Sequence, residues 1–338
     1  MMKTSTCVAA TLAALMASSA AAEGVLNLYS SRHYDTDERL YSDFEEATGI
    51  TINRIEGNAD ELLARMEAEG ANSPADVLLT VDTSRLERAK DMGLLQSIDS
   101  AVLEQRLPGY VQDEDNQWFG FSQRARILFY DKTEVTDPPM TYQDLADPKY
   151  KGMICIRSSG NVYTQTITAA LIEHLGEEAV KGWAEAVVAN FARDPQGGDT
   201  DQLRGIVSGE CDIAMSNTYY FGRAIRKPVD GVSDSLDMFG WVFPNQDDIG
   251  AHMNLSGGGV AVNAPNKENA IKFLEYLASD QAQGYFSAGN DEYPAVPGVG
   301  ISPSVAQLGF FKPDDLDATA IANNIPTAQR VLNEAGWE

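Results

Sequence analysis

The runs VLNLYS at residues 25–30, ITINRI at 50–55 and DVLLT at 76–80 are the strand patterns that decide the fold. The segments between them carry apolar residues at helical spacing, and the successive helix patterns end at Gly49, Gly70 and Gly93. Alternation of strand and helix in this order is typical of parallel strands with helices packed on their faces. The first hundred residues therefore predict an α/β lobe.

A longer extended stretch at residues 118–130 interrupts this pattern, and a second α/β set follows it. A further extended stretch at 240–263 contains a triple glycine. Two such crossings predict an α/β protein of two lobes joined by a two-strand hinge, with a cleft at the junction where ligands commonly bind. The second set consists of a strand at 153–157, helices at 162–175, 177–190 and 199–208, and a strand at 211–215.

Length and charge limit the possible classes of protein. A chain of 338 residues is longer than one hydrophobic core usually holds, which also favours two lobes. It has 50 acidic residues against 25 Lys and Arg, a formal net charge of −25. Because nucleic acids and anionic membranes repel such a chain, neither is expected as a partner.

The N-terminus and the cysteines indicate an exported protein. Residues 1–22 combine an early lysine, an apolar run and a final alanine triplet, which predicts a cleavable secretory signal too short to anchor in a bilayer. Cleavage would leave only Cys155 and Cys211, and an oxidising compartment permits a disulfide between them. From spacing alone a disulfide and two buried free thiols are equally consistent, whereas a zinc site is not expected.

Tyrosines occur at three predicted strand-to-helix turns. Tyr34, with His33 beside it, follows the first strand; Tyr163 follows the strand at 153–157; and Tyr219 and Tyr220 follow the strand at 211–215. One tyrosine at such a turn is more often a packing residue. Tyrosines at all three turns instead predict a shared site, because α/β sheets present their ligand contacts at these turns.

Ferric iron is the cation that suits converging phenols best. A free phenol has a pKa near 10, and a bound ion of high charge lowers it strongly. Three phenolates neutralise Fe³⁺, and a fourth leaves one negative charge that an arginine can offset. Soft metals require thiolates, and a calcium loop of the D-x-D-x-D-G type is absent from the sequence.

The chain resembles the periplasmic ferric-iron-binding proteins of ABC importers, in the FutA-type branch of bacterial solute-binding family 1. The resemblance extends from residue 26 to about residue 300. It is carried by residues 29–34 (YSSRHY), 118–122 (WFGFS), Arg124, Arg126, Tyr130, 151–157 (KGMICIR), 209–214 (GECDIA), 217–220 (NTYY) and 292–294 (EYP).

The resemblance implies a bilobal type II periplasmic-binding-protein fold. The expected lobes are residues 23–124 plus 248–300 and residues 125–247 plus 301–338. The implied Fe(III) ligands are Tyr163, Tyr219 and Tyr220, with Tyr34 as a fourth and His33 as a fifth ligand or a neighbour. Arg124, Arg126 and Arg223 are candidates for charge balance around the metal, although each is equally consistent with an ordinary ion pair.

The implied function is capture of Fe(III), or also Fe(II), by a monomer in the periplasm. The lobes would close around the metal and present it to an inner-membrane ABC permease. A bilobal receptor for a small organic cation such as a polyamine is the alternative, but it needs acids at the turns, and none lies within four residues of Tyr163 or Tyr219. Because G-x-S-x-G, H-E-x-x-H and P-loop motifs are absent, the sequence does not predict an enzyme.

Overall fold

The computed structural model describes residues 24–32, 34 and 36–338. The predicted signal segment 1–22 and His33 lie outside the described residues. None of the described helices combines the length and the apolar character that crossing a membrane requires.

Strands and helices alternate along most of the chain. The strands are β1 (Gly24–Ser30), β2 (Ile50–Glu56), β3 (Val77–Thr80), β4 (Phe119–Asp131), β5 (Ile154–Cys155), β6 (Ile213–Asn217), β7 (Phe239–Val242), β8 (Met253–Val260) and β9 (Tyr293–Pro294). The helices are α1 (Asp37–Thr48), α2 (Ala59–Glu69), α3 (Thr83–Asp91), α4 (Ala101–Arg106), α5 (Val162–Leu175), α6 (Glu177–Val188), α7 (Asp199–Val207), α8 (Thr218–Arg226), α9 (Lys267–Leu277), α10 (Asp280–Asn290), α11 (Pro303–Leu308) and α12 (Ala318–Glu334).

The first lobe is built on the strand order β2-β1-β3-β8 and the first half of β4. Strand β1 pairs in parallel with both β2 and β3, as the alternating pattern predicts, and β8 is antiparallel to β3. Leu26 and Leu28 of β1 are fully buried and pack in one cluster with Phe44 of α1 and Phe273 of α9. Burial of these apolar side chains holds the helices on the sheet.

The second lobe is built on the second half of β4 with β5, β6 and β7. Its largest core cluster joins Ile154 and Ile213 of the paired strands to Trp183 of α6 and Trp337 near the C-terminus. The predicted strand at 153–157 is shorter than expected, and the predicted strand at 211–215 begins and ends two residues later. Helix α8 begins at Thr218, so no loop separates it from β6.

Strand β4 belongs to both lobes and forms the hinge together with the start of β8. Its residues up to Ala125 pair with β8, whereas those from Arg126 onward pair with β6. The Arg126 N–H donates to the carbonyl of His252 at 2.9 Å, which extends the pairing across the junction. The predicted extended stretch at 240–263 is in fact two strands, β7 and β8, and β8 is the second hinge strand.

Close backbone approach explains two glycines of the β8 triplet. A Cβ at Gly257 would lie 2.5 Å from the carbonyl oxygen of Phe119, and one at Gly259 would lie 2.3 Å from that of Gln117. Neither carbonyl can move without breaking the pairing of β4 with β8, so any side chain here is expected to disrupt the hinge sheet.

The residue patterns predicted no helix after β9, although the family resemblance placed residues 301–338 in the second lobe. After β9, which pairs with β4, the chain enters the second lobe for a second time. There α12 packs against α5 and α6, and it also contacts α3 of the first lobe.

Cys155 and Cys211 form a disulfide with a Cα–Cα distance of 5.8 Å. The bond joins the end of β5 to the residues just before β6, and Gly205 of α7 packs directly on it. A Cβ at Gly205 would lie 2.7 Å from the Cys155 sulfur and 2.8 Å from the Cys211 sulfur. Of the two possibilities open from the sequence, the disulfide is therefore correct.

Removing the disulfide is expected to destabilise the second lobe. The bond closes a loop with a sequence separation of 56, so its loss enlarges the unfolded ensemble. We expect Cys155→Ser/Cys211→Ser to lower the free energy of unfolding by about 2–4 kcal/mol in urea denaturation. The free energy of unfolding of wild type, measured under reducing conditions, should match that of the double variant. Equal stability of oxidised wild type and variant would contradict the expectation.

Buried His252 should make the protein sensitive to acid. Burial lowers the pKa of His252 to about 3, and the positive charges of Arg126 and His174 add to the effect. An unfolded histidine has a pKa near 6.5, so below that pH the unfolded chain binds a proton that the folded chain does not. The free energy of unfolding should therefore fall, by up to about 1.4 kcal/mol per pH unit from this residue, as the pH drops from 6.5 towards 3.

Urea denaturation at pH 6.5 and pH 4.5 measures this loss. His252→Gln should lose less stability than wild type between the two pH values, because the group that titrates on unfolding is gone. The same pH dependence in His252→Gln and wild type would exclude His252 as the cause.

Candidate functional site

A cavity of about 530 Å³ lies between the two lobes, and the four predicted tyrosines line it. Tyr34 belongs to the first lobe and follows β1, whereas the other three come from the second lobe. Tyr163 is in the first turn of α5, and Tyr219 and Tyr220 are in the first turn of α8. The structure thus brings the tyrosines of all three turns to one place.

Local capping and a direct strand-to-helix junction fix the second-lobe tyrosines. The side chain of Asn161 caps α5 by accepting the Tyr163 N–H at 3.1 Å. Asn217 ends β6 in extended conformation, and the next residue already belongs to α8. Tyr219 and Tyr220 are therefore held at the carboxyl end of the sheet.

The rings are close to one another. The ring centroids of Tyr219 and Tyr220 are 4.1 Å apart, and those of Tyr34 and Tyr219 are 6.2 Å apart in an edge-on arrangement across the cleft. Tyr163 and Tyr219 are nearly buried but belong to none of the apolar core clusters, whereas Tyr220 also packs against a second-lobe cluster. Contact with the cavity distinguishes these rings from ordinary packing tyrosines.

Burial and crowding oppose ionisation of the phenols. Burial is the largest cause that raises the pKa of Tyr34 and of Tyr219, and the neighbouring Tyr163 raises both further. The pKa of Tyr220 rises to about 12, first through burial and then through the charge of Asp199. Arg124 acts in the opposite direction on Tyr34 and Tyr219. At neutral pH these phenols give up their protons only to a strong positive charge.

A buried ion network lies beside Tyr34 and Tyr219. Arg124 donates to Glu292 at 3.0 Å and to Ser256 at 2.6 Å, and Arg32 donates to the same serine and to Asp37. The second oxygen of Glu292 lies 3.4 Å from Arg32. Two guanidinium groups thus meet two carboxylates, and the network is neutral as a whole. Arg124 also lies 5.9 Å from the ring centroids of both Tyr163 and Tyr219.

A second ion network lies beneath Tyr163. Arg126 and Arg157 both bind the fully buried carboxylate of Asp199, and each guanidinium carbon lies 5.8 Å from the centroid of the Tyr163 ring. Arg223 lies on the opposite side, 5.4 Å and 5.6 Å from the ring centroids of Tyr219 and Tyr220. All three arginines predicted to balance charge are therefore near the tyrosines.

Sequence reasoning did not assign five charged residues to these networks, namely Arg32, Asp37, Arg157, Asp199 and Glu292. Arg32 and Arg157 follow strands β1 and β5 and lie inside stretches that carry the family resemblance. Their positions could therefore have identified them as neighbours of the site. Glu292 also lies inside such a stretch, at residues 292–294, whereas Asp199 had no signal because it is far in sequence from every cavity tyrosine. Counting acids within four residues of Tyr163 or Tyr219 could not detect them.

Tyrosine oxygens are the metal donors that the described cavity offers. Across residues 24–32, 34 and 36–338, no three His, Cys, Asp or Glu side chains cluster as metal ligands do. The described residues that line the cavity include no carboxylate, but they include Arg157, Arg223, Arg226 and Lys227. The site therefore combines phenols with positive charge, which suits a hard cation held by anionic oxygen.

Comparison with known sequences identifies close relatives. A family model described as bacterial extracellular solute-binding protein matches residues 39–312. Iron uptake proteins A1 and A2 of Synechocystis sp. are 48% and 44% identical to the chain, over 93% of it and over 87% and 90% of their own lengths. The major ferric iron-binding protein of Neisseria meningitidis is 27% identical, over 97% of this chain and 98% of its own.

Solved structures give the same result for the fold. The FutA protein of Trichodesmium, in complex with iron and citrate ligands, superimposes with a TM-score of 0.88 at 47% identity, covering 93% of this chain and all of that one. The ferric binding protein of Campylobacter jejuni gives 0.87 at 38% identity, with the same coverage. The predicted bilobal type II fold is confirmed. The chain belongs to the bacterial extracellular solute-binding proteins, in the FutA-type branch that its tyrosine motifs indicated.

Proposed function

We propose that this protein is the periplasmic substrate-binding component of an iron ABC transporter and captures Fe(III) in the interlobe cleft. The observation that carries the proposal is the convergence of Tyr34, Tyr163, Tyr219 and Tyr220 on one cavity that is also ringed by arginines. The names of the relatives support it, because they are iron uptake and ferric iron-binding proteins.

The charge of the ion explains why phenols would serve as ligands. The pKa values of Tyr34, Tyr219 and Tyr220 are raised above the ordinary value, so a divalent ion would compete poorly with their phenolic protons. A trivalent ion supplies more positive charge at the same distance and favours the phenolate forms more strongly. We therefore place Tyr163, Tyr219 and Tyr220 as the core ligands, Tyr34 as the fourth, and His33 as a further candidate beside it.

Capture would proceed by closure of the lobes on the metal. Tyr34 comes from one lobe and the other tyrosines from the second, so only the closed form completes the coordination shell. The lobes would comprise residues 23–124 plus 248–300 and residues 125–247 plus 301–338. An inner-membrane permease would recognise the closed form of this monomer. Residues 1–22 would direct export, and nucleic acid has no part in the function.

A receptor for a small organic cation such as a polyamine is the less supported alternative. Such a ligand requires carboxylates facing the cavity, whereas Asp199 and Glu292 near the tyrosines are already bound to arginines. The basic residues that line the cavity would repel a polyamine.

The relatives are transport proteins, and we propose binding without catalysis for this chain as well.

Visible spectroscopy of the iron-loaded protein tests the proposal. Wild type should be coloured by a phenolate-to-iron charge-transfer band that dithionite bleaches. Tyr163→Phe, Tyr219→Phe and Tyr220→Phe should each shift or remove the band and weaken Fe(III) binding by at least about tenfold, the loss that corresponds to roughly 1.4 kcal/mol. Tyr34→Phe should change the band while leaving the second-lobe ligands in place.

Tyr110→Phe is the matched control, because Tyr110 is a partly exposed phenol that does not line the cavity. It should keep both the band and the affinity. A colourless wild-type protein after incubation with ferric iron would refute the proposal. Unchanged spectra in all three second-lobe variants would refute the ligand assignment.

A further inference from the structure

An ion pair joins the helix that carries two of the cavity tyrosines to the opposite lobe. Arg226 is the last residue of α8, about two turns beyond Tyr219 and Tyr220. Its Nε donates to both carboxylate oxygens of Asp291 at 3.0 Å, and its Nη2 donates to one of them at 2.8 Å and to the Gly289 carbonyl at 2.6 Å. The Asp291 side chain has no exposed surface, and both Arg226 and Gly289 line the cavity.

Asp291 is fixed to the first lobe. It directly follows α10, in which Phe286 packs in the same apolar cluster as Leu26 of β1. The preceding residue, Asn290, donates to the carboxylate of Asp37 at the start of α1 at 2.9 Å. The pair of Arg226 with Asp291 therefore connects the second lobe to the first at the wall of the cavity.

The backbone of α8 also approaches Asp291 closely. A Cβ at Gly222 would lie 2.9 Å from the Asp291 Cβ, so a side chain there would push the helix away. Ser304 of α11 donates to the same carboxylate at 2.6 Å. Asp291 itself has a φ of 59°, a left-handed conformation that Asp and Asn tolerate better than most residues. A glycine on one side and a left-handed aspartate on the other thus bring the two lobes into contact.

The next residue connects this contact to the first-lobe tyrosine. The carboxylate of Glu292 lies 3.4 Å from the Arg32 guanidinium, whose carbon lies 4.9 Å from the centroid of the Tyr34 ring. Adjacent carboxylates therefore reach α8 in one direction and the surroundings of Tyr34 in the other. Separation of the lobes would break the pair at Asp291 and, in the same movement, draw Tyr34 away from Tyr219.

We propose that Arg226 and Asp291 form the contact that holds the lobes closed on Fe(III) and so set the rate at which the ion is released. Opening would separate a bidentate pair and leave a buried carboxylate without its cation, which is strongly unfavourable. Both are positioning residues, because neither is a proposed iron ligand. The inference rests on the proposed function and adds to it the contact that controls release.

The test measures the release of Fe(III) from the loaded protein. Loss of the visible band is followed after mixing with EDTA, at concentrations where the rate no longer depends on the chelator. Arg226→Gln and Asp291→Asn should each release Fe(III) at least about fivefold faster than wild type, because loss of one partner of a buried charge pair acts mainly on dissociation. Both should keep the position of the band, since every phenol is retained, and asparagine suits the left-handed backbone at residue 291.

The two variants also distinguish a closing contact from a general effect of charge. Arg226→Gln removes a positive charge that lines the cavity, and Asp291→Asn removes a negative charge beside it. A long-range effect on the bound cation would change the two release rates in opposite directions, slower for Arg226→Gln and faster for Asp291→Asn. Loss of a closing contact instead makes release faster in both.

Gly222→Ala tests the same contact with all charges unchanged. The added methyl group would force α8 away from Asp291, whereas alanine favours the helix, so this variant should fold and release Fe(III) faster than wild type. Arg330→Gln and Glu177→Gln are the matched controls. They break an arginine–carboxylate pair of 2.9 Å between α12 and α6, away from the cavity, and should keep the wild-type release rate.

The proposal is overturned if Arg226→Gln or Asp291→Asn releases Fe(III) less than about twofold faster than wild type, or if their rates change in opposite directions. Equal acceleration in the control variants would also overturn it. If a charge variant does not fold, Gly222→Ala decides the matter, and a wild-type release rate in it refutes the contact. A coloured wild type with unchanged release in the variants would refute only the role of this pair. A wild type without the band would refute the proposed function itself.

Discussion

Buried phenols that are hard to ionise, placed together in one cleft between the lobes, are the constraint on which the site depends. Burial and mutual crowding raise the pKa of Tyr34, Tyr219 and Tyr220. At neutral pH these phenols are therefore neutral groups unless a concentrated positive charge favours their ionised form. Under the proposed function, this electrostatic cost would select for a trivalent cation without any described carboxylate or thiolate ligand.

The hinge strand connects this electrostatic constraint to the motion of the lobes. Strand β4 changes its pairing partner from β8 to β6 between Ala125 and Arg126. Arg124 lies on the β8 side of this junction, and Arg126 lies on the β6 side. Arg124 reaches the network that contains Glu292, and Arg126 reaches Asp199 in the second lobe. A rotation about β4 would therefore move the two networks relative to each other, together with the tyrosines they support.

Shared structural support behind the site connects the second-lobe tyrosines with the arginines beside them. The disulfide joins β5 to the start of β6, the two strands that lead to Arg157 and to Tyr219. Helix α7 packs on the same disulfide at Gly205 and presents Asp199 at its first residue. Three second-lobe tyrosines and their arginine pair thus share one braced framework, to which Tyr34 is added across the cleft.

The sequence alone determined the alternation of strands and helices, the two lobes and the tyrosines at three turns, because periodicity, capping residues and strand-to-helix turns are encoded locally. The candidate arginines came from the family resemblance. Tertiary structure alone decided the disulfide, the contacts of α12 with α5 and α3, and the positions of Asp199 and Glu292 beside the arginines. These features depend on contacts between residues that are distant in the chain, such as Asp199 with Arg126. A local sequence pattern cannot predict which buried carboxylate will pair with which arginine.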